Sequence, residues 1–210
     1  TRRIAAALHA EALGEGSRIA TLLGDGAVAV AVIHAVRRLG AVLVPLNRRA
    51  APAELVFQLA ASKSTVLVHD PERAGLTRAA LADATVRPLE IDRLLAVPAD
   101  DPPDPSATRD EVDPDAPATI LFSSGTTGRP KGVVLTHGNH VASADAWAAF
   151  LEPRPSDRRL APLPLYHVAG LAMAVRASRW GLPLEVHERF DPAAVDRAVE
   201  DRVSHLSLVP

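Results

Sequence analysis

Short apolar runs that alternate with helix-period segments constrain the fold of this chain most strongly. The runs RIATLL (18–23), AVLV (41–44) and STVLV (64–68) each have the length and apolar character of a buried strand. The stretches between them are long enough for a helix that returns the chain to the same end of a sheet. Such units predict an α/β fold with mostly parallel sheets, right-handed crossovers and helices packed in layers.

Two of the connecting segments carry clear helix signals. Gly40 can adopt the left-handed conformation that ends the first helix, and Pro52 fits the first turn of the second. The apolar residues expected to face the core are Val28, Val32, Val36 and Leu39 in the first helix, and Leu55, Val56 and Leu59 in the second.

A proline-rich acidic stretch at 98–117 interrupts this alternation. It holds six prolines and seven acidic residues against one arginine, so it can bury little apolar area and is typical of an exposed linker. We therefore predict a first βα subdomain at 1–97 and a second subdomain at 118–210.

The second half resumes with shorter elements. We predict strands at 118–122, 133–135, 159–161 and 183–187, and helices at 138–151 and 168–178. Asp191 and Pro192 have the residue types of an N-cap and first-turn pair for a last helix, in which Val195, Val199 and Val203 are expected to face inward.

Composition excludes several classes of function. Twenty-three basic and 25 acidic residues leave a net charge of −2, which gives no broad electrostatic reason to expect a nucleic acid or an anionic membrane as partner. Without cysteine there is no disulfide framework, thiolate nucleophile or Cys-ligated zinc. The longest apolar stretches are too short to span a bilayer. These features favour a soluble cytoplasmic protein of undetermined oligomeric state.

The segment SSGTTGRPKG (123–132) carries the strongest chemical signal. Its glycines permit close approach of the backbone to a ligand, and its amides and hydroxyls can surround a polyanion. Lys131 would add a charge-assisted contact. The residues predicted to bind the phosphates are Ser123, Ser124, Gly125, Thr126, Thr127, Gly128 and Lys131.

The ordered spacing of this segment, its Pro-Lys-Gly ending and the scarcity of lysine argue that it is more than a flexible connector. The chain has 21 arginines and only two lysines, Lys63 and Lys131, so a lysine in this loop suggests that a compact ammonium is required. The spacing differs from the P-loop of NTPases, because Pro130 and Lys131 stand where that motif has its second glycine and its lysine.

Three motifs in order along the chain resemble those of the adenylate-forming superfamily, which includes acyl-CoA synthetases, peptide-synthetase adenylation domains and luciferases. FSSGTTGRPKGVVLTHGN (122–139) is similar to the phosphate loop of that family, RRLGAVLVPLN (37–47) to an earlier motif, and LPLYHVAGL (163–171) to a later one. The resemblance covers nearly the whole chain. It departs in that Phe122 and Ser123 stand where Tyr and Thr are common.

The resemblance implies a two-step reaction with ATP, Mg²⁺ and coenzyme A. A carboxylate attacks the α-phosphate of ATP to give an acyl-adenylate and pyrophosphate, and a thiol then displaces AMP. It also implies that Thr126 helps to hold the metal ion and that Lys131 takes part in catalysis. The chain begins inside a helical pattern and matches only the N-terminal core of the family fold, before the C-terminal lid domain. We therefore expect a fragment that forms no acyl-adenylate alone.

The acid substrate is suggested by the later motif. The resemblance places His167 and Gly170 in the acyl pocket, with His167 orienting the reacting carboxylate or gating its entry. Arg176 interrupts an otherwise apolar helix and is predicted to meet a second carboxylate, as in o-succinylbenzoate–CoA ligases of menaquinone synthesis. Alternatively, Arg176 faces solvent or pairs with an acid such as Glu185 or Glu188.

Other readings stay open at this point. His137 and His140 are three residues apart without an acidic partner, so solvated or capping roles are favoured over metal binding. Within the family, a fatty or aryl acyl-CoA ligase or a carrier-protein-loading adenylation domain is the alternative. Outside enzymes, the chain would be a nucleotide-binding fragment without catalysis.

Overall fold

The computed structural model describes residues 1–82, 85–96, 108–109, 111–123 and 130–208. The helices are α1 (Arg2–Ala10), α2 (Ala27–Arg38), α3 (Pro52–Ser62), α4 (Ala74–Leu81), α5 (Ile91–Leu95), α6 (His137–Leu151), α7 (Val168–Trp180) and α8 (Pro192–Glu200). The strands are β1 (Arg18–Leu22), β2 (Val42–Pro45), β3 (Val66–His69), β4 (Arg87–Glu90), β5 (Pro117–Ser123), β6 (Lys131–Thr136), β7 (Arg159–Ala161), β8 (Leu184–Val186) and β9 (His205–Leu206).

A six-stranded sheet with the order β4-β3-β1-β2-β5-β6 organises the first part of the chain. Strands β1 to β5 pair in parallel, as the strand–helix alternation predicts, and Ile19 of β1 aligns with Leu43 of β2 and Val66 of β3. Strand β6 runs antiparallel to β5, because the short connection between them has no room for a crossover helix.

A second sheet holds three strands in the order β8-β7-β9, all parallel. Leu160 of β7 packs with Val195 and Ala198 of α8, and Val203 and Leu206 lie against this cluster. The prediction of an α/β fold with mostly parallel sheets is confirmed in both sheets.

The chain divides into two compact units. One comprises Thr1–Gly24 with Ala31–His137, and the other comprises Asp25–Val30 with Gly138–Pro210. These units differ from the predicted ranges 1–97 and 118–210, because β5 and β6 complete the first sheet by hydrogen bonding. Most of the predicted linker 98–117 lies outside the described residues.

The local helix signals hold in most places. Gly40 has a φ of 69°, Pro52 begins α3, and Asp191 caps α8 by accepting hydrogen bonds from the amides of Ala193 and Ala194 at 3.0 and 3.4 Å.

The inward positions were predicted correctly except at three valines. Val28, Val56 and Val199 are 40%, 42% and 47% exposed, so their predicted inward orientation is wrong. Val56 is one helical step from the buried Leu55 and therefore lies at the edge of the stripe. In α8 the small Ala198 takes the inward position beside Val195. Within the described part of the chain, no helix has the length and hydropathy needed to cross a membrane.

Candidate functional site

The predicted phosphate segment connects the end of β5 to the start of β6. Ser123 and Lys131 are directly paired across the two strands, and the Ser123 hydroxyl donates to the Lys131 carbonyl oxygen at 3.5 Å. Because β5 belongs to the parallel part of the sheet, the segment leaves from the carboxyl edge, where α/β folds bind ligands. The other predicted phosphate ligands, Ser124, Gly125, Thr126, Thr127 and Gly128, lie outside the described residues.

The base of this hairpin is closely packed. Gly132 lies opposite Phe122, and a Cβ atom added to it would meet Ile120 Cγ2 at 3.2 Å and the Phe122 ring at 3.4 Å. A side chain at this position would therefore push the aromatic ring away from the strand. Without a side chain at Gly132, the Phe122 ring can lie against the backbone of β6 at this pair.

Lys131 is exposed at the first position of β6. Among the described residues no carboxylate forms an ion pair with it. An ammonium group without an internal partner can bind an external anion without first breaking a salt bridge. The donor set at the hairpin base, a hydroxyl and an ammonium, therefore fits a phosphate chain.

The second predicted site begins where α7 starts. His167 is the N-cap residue of this helix, with extended backbone angles, and its amide donates to the Pro164 carbonyl at 3.1 Å. The imidazole is exposed beside the ring of Tyr166. Partial burial lowers the pKa of His167, and the carboxylate of Asp25 opposes that shift. The ring is therefore neutral at neutral pH and can accept or donate one hydrogen bond.

Asp25 is a neighbour of the predicted His167 site that sequence reasoning missed. It is buried, and its Oδ1 atom accepts a hydrogen bond from the Leu165 amide at 2.7 Å. This contact fixes the loop that presents Tyr166 and His167. The sequence signal was weak, because GDG (24–26) is typical of an ordinary turn.

Gly170 has a packing role in the structure. A Cβ atom here would collide with the carbonyl oxygens of Leu163 and Pro164, which lie against the first turn of α7. The absence of a side chain thus lets the helix approach the backbone of the preceding loop. A direct contact between Gly170 and a substrate stays a prediction.

Arg176 lies two turns further along α7 and faces α6. It is half-buried, and its Nη2 atom donates to the Ser143 hydroxyl at 3.2 Å. Burial lowers the pKa of Arg176. Among the described residues it forms no ion pair, so the predicted alternative of a salt bridge to Glu185 or Glu188 is wrong. In the described part of the chain, no hydrogen bond joins Arg176 to His167.

Arg159, the first residue of β7, is the second residue that sequence reasoning missed. It is 1% exposed, its guanidinium stacks 3.9 Å from the centre of the Trp147 ring, and its Nη2 atom donates to Met173 Sδ at 3.1 Å. Burial, and then the charge of Arg176, lower the pKa of Arg159 to about 10. In the sequence, Arg159 follows two other charged residues, which is typical of a solvated strand end.

The two histidines at the start of α6 are buried. His137 is 3% and His140 is 7% exposed, so, of the predicted solvated or capping roles, the solvated one is wrong. The His137 amide donates to the Ala116 carbonyl at 3.1 Å, and burial and then Arg37 lower the pKa of the imidazole.

A family profile described as AMP-binding enzyme matches residues 1–210, the whole chain. This chain belongs to the AMP-binding enzyme family. This family agrees with the resemblance that rests on the three motifs at 37–47, 122–139 and 163–171.

Curated relatives of this AMP-binding family member are ligases of different acids. The chain is 33% identical over 195 residues to 2-succinylbenzoate–CoA ligase of Bacillus cereus, covering 92% of this chain and 38% of the relative. It is 36% identical over 217 residues to feruloyl-CoA synthase of an Amycolatopsis species, covering 99% of this chain and 41% of the relative. The chain thus spans about two fifths of the length of these relatives.

Solved structures show the same fold. O-succinylbenzoate coenzyme A synthetase from Bacillus subtilis in complex with AMP matches with a TM-score of 0.88 and 31% identity, over 99% of this chain and 52% of that one. The same synthetase in complex with ATP and a magnesium ion matches with a TM-score of 0.86 and 30% identity, over 98% of this chain and 53% of that one. The N-terminal domain of FACL13 from Mycobacterium tuberculosis matches with a TM-score of 0.87 and 34% identity, over 100% of this chain and 54% of that one. The fold is that of the N-terminal part of adenylate-forming enzymes.

Proposed function

We propose that this chain is the N-terminal part of an ATP-dependent acid–CoA ligase whose acid substrate is 2-succinylbenzoate. The ligase would activate the carboxylic acid as an acyl-adenylate and then transfer the acyl group to coenzyme A. This activity would belong to menaquinone biosynthesis in the cytoplasm. The pairing of Ser123 with Lys131 at the carboxyl edge of the sheet, at the two ends of the predicted phosphate segment, is the observation that carries the proposal.

The first step transfers an adenylyl group to the acid. A carboxylate oxygen attacks the α-phosphorus of ATP. The bond between the α-phosphorus and the oxygen that bridges to the β-phosphate breaks, and pyrophosphate leaves with the bonding electrons. Ser123, the loop hydroxyls and amides, and Lys131 would stabilise the charge that develops on the pyrophosphate. The Lys131 side chain is exposed and has no carboxylate partner among the described residues, which supports this role.

The second step uses the activated acid. The thiol of coenzyme A attacks the acyl carbon, the bond to the AMP oxygen breaks, and the thiol proton is lost to solvent or to a base. His167, with its lowered pKa, would orient the carboxylate by one hydrogen bond and stay neutral during the cycle. Gly170 would serve by keeping the first turn of α7 close to the loop that carries His167.

A magnesium ion fits the chemistry of this segment. A bound Mg²⁺ neutralises charge on the phosphate oxygens. Thr126 is the proposed protein ligand, since a hydroxyl oxygen is a hard donor of the kind that Mg²⁺ prefers.

The choice of acid rests on the arginines of the second unit. A fatty acyl tail presents no anion, whereas 2-succinylbenzoate carries a second carboxylate that a guanidinium can bind. Arg176 lies on the helix that His167 begins, and no carboxylate among the described residues neutralises it. Matched relatives named for this acid support the assignment.

A ligase for an aryl or fatty acid is the second candidate. Feruloyl-CoA synthase is 36% identical over 99% of this chain, at least as similar as the succinylbenzoate ligases. The identity of the acid must therefore be measured directly.

Acid-dependent exchange of pyrophosphate into ATP tests the proposal. The longer ligase that carries this chain would be assayed with 2-succinylbenzoate, ferulate and a medium-chain fatty acid. We expect 2-succinylbenzoate to give a kcat/KM about 10- to 150-fold above the others, since a bound second charge contributes about 1.5–3 kcal/mol. Equal rates with ferulate would contradict the choice of acid, and exchange with none of the acids would contradict the reaction.

A further inference from the structure

The loop that leads into α7 (163–167) is held on one side by backbone contacts. The His167 amide donates to the Pro164 carbonyl at 3.1 Å, which closes the turn before the helix. Because Gly170 has no side chain, the first turn of α7 can lie against the carbonyl oxygens of Leu163 and Pro164. These contacts join the two ends of the loop to α7, but they do not involve the amide in its middle.

A buried side chain from a distant part of the sequence binds the middle of this loop. The Leu165 amide donates to Oδ1 of Asp25 at 2.7 Å, and the two residues are only 4% and 6% exposed. A buried amide that loses its acceptor costs more free energy than the hydrogen bond itself contributes, because water cannot readily replace the acceptor. The Asp25 carboxylate is therefore a strong constraint on the backbone two residues before His167.

Asp25 itself is carried by an ordered backbone. It follows β1 and lies two residues before α2 begins at Ala27, and the Val30 amide donates to the Gly26 carbonyl at 3.1 Å in the first turn of that helix. The segment Asp25–Val30 belongs to the same compact unit as the loop. The hydrogen bond to Leu165 therefore joins two ordered segments of one unit.

The carboxylate also acts on the imidazole through its charge. It opposes the lowering of the His167 pKa that burial causes, so it lies close enough to influence the ring. Direct contact between Asp25 and an acid substrate is unfavourable, because both groups are anions and repel each other. Asp25 can therefore serve the reaction only through the loop and the histidine that the loop carries.

We propose that Asp25 is a positioning residue for acid activation: by accepting from the Leu165 amide, it fixes the loop so that His167 meets the reacting carboxylate. The catalytic consequence rests on the proposed function, whereas the position of the loop rests on its hydrogen bonds. Tyr166 lies between Leu165 and His167, and its ring packs against the imidazole with centroids 4.4 Å apart. A shift of the backbone at Leu165 would move both rings, and a small misplacement of a positioning group lowers a rate strongly.

Two variants at position 25 separate the acceptor from the shape of the side chain. Asp25→Asn keeps the shape and an oxygen acceptor without the charge, whereas Asp25→Leu keeps the branched shape without an acceptor. In the longer ligase, we expect D25L to lower kcat/KM for the acid by about 10- to 100-fold with the KM for ATP within about 2-fold of wild type. We expect D25N to recover most of that loss. The control is Asp196→Ala, at an exposed aspartate of α8 in the same unit, which should keep wild-type values.

Hydrogen exchange at the Leu165 amide measures the contact without catalysis. We expect slow exchange in the wild-type ligase and in D25N, and exchange at least about 10-fold faster in D25L. Exchange in the wild-type ligase as fast as that of an exposed loop amide would overturn the contact, even if D25L failed to fold.

The outcomes separate this role from the proposed reaction. Faster Leu165 exchange together with a lower kcat/KM for the acid in D25L, both recovered in D25N, supports the positioning role. Unchanged exchange or unchanged activity in D25L, an equal loss of activity in D25N, or an equal rise in the KM for ATP would overturn it. Protection of Leu165 that depends on Asp25, in a ligase that activates none of the tested acids, would refute the proposed reaction alone.

Discussion

Ser123 and Lys131 face each other at the last pair of the β5–β6 ladder, so the chain leaves the sheet and returns to it at one point. The segment between them begins at the carboxyl edge of a parallel strand. Gly132 and Phe122 pack at the next pair and keep this base narrow. The hairpin base thus places a serine and a lysine at paired positions on the edge of the sheet where α/β folds bind ligands.

The compact charge of Lys131 should matter for the adenylation step. We expect Lys131→Ala to lower kcat/KM for ATP–pyrophosphate exchange in the longer ligase by about 10- to 100-fold, the effect of losing one charge-assisted contact. Lys131→Arg should recover only part of the rate, because a planar guanidinium directs its donors differently. The control is Lys63→Asn at the other lysine, whose φ of 54° an asparagine tolerates. An equal loss in K63N would show that the effect is not local.

The positions of most elements could be predicted because their signals are local. The bounds of β7, the left-handed Gly40 and the cap by Asp191 each follow from a few adjacent residues. The phosphate segment was recognised because glycines, hydroxyls and a lysine occur together in ten residues.

Features that depend on distant partners could not be predicted. Arg159 is buried because Trp147 and Met173, from two different helices, close over it. His137 and His140 are also buried, which their position at the polar start of a helix does not predict. Asp25 gains its role from Leu165, which lies 140 residues later in the chain.

Selectivity for a dicarboxylate should depend on Arg176. We expect Arg176→Leu in the longer ligase to reduce activation of 2-succinylbenzoate by at least about 10-fold and to increase that of benzoate, since an apolar side chain then replaces an unpaired charge. Arg179→Leu is the matched control, because Arg179 is an exposed residue of the same helix that pairs with Asp145. Unchanged selectivity in R176L would contradict the role of Arg176.

Replacing either of two helical glycines by alanine should change the free energy of unfolding, in opposite directions at the two positions. Gly170→Ala places a methyl group against the carbonyl oxygens of Leu163 and Pro164 and should lower the free energy of unfolding by about 2 kcal/mol or more. Gly75→Ala in α4 meets nothing within 4 Å and should raise it by about 0.5–1 kcal/mol. Urea denaturation of both variants measures the difference. An unchanged free energy of unfolding in G170A would show that the turn relaxes around the added methyl group.

Acidification should destabilise the chain through His137. Its folded-state pKa lies below the ordinary value, so the unfolded state binds the proton more readily. The stabilising contribution is therefore present above about pH 6.5 and is lost as the pH falls through the folded-state pKa. We expect His137→Gln to reduce the fall in unfolding free energy between pH 7.5 and 5, relative to the His9→Gln control on α1. An identical pH dependence in wild type and H137Q would contradict this role.

The central claim is that the segment from Ser123 to Gly132 binds the triphosphate so that pyrophosphate can leave. The most direct test replaces Thr126, Thr127 and Lys131 by alanine in the longer ligase and measures acid-dependent ATP–pyrophosphate exchange at saturating acid. Loss of three stabilising contacts predicts a fall in rate of at least about 1,000-fold with a folded protein. Exchange at the wild-type rate in this triple variant would contradict the claim.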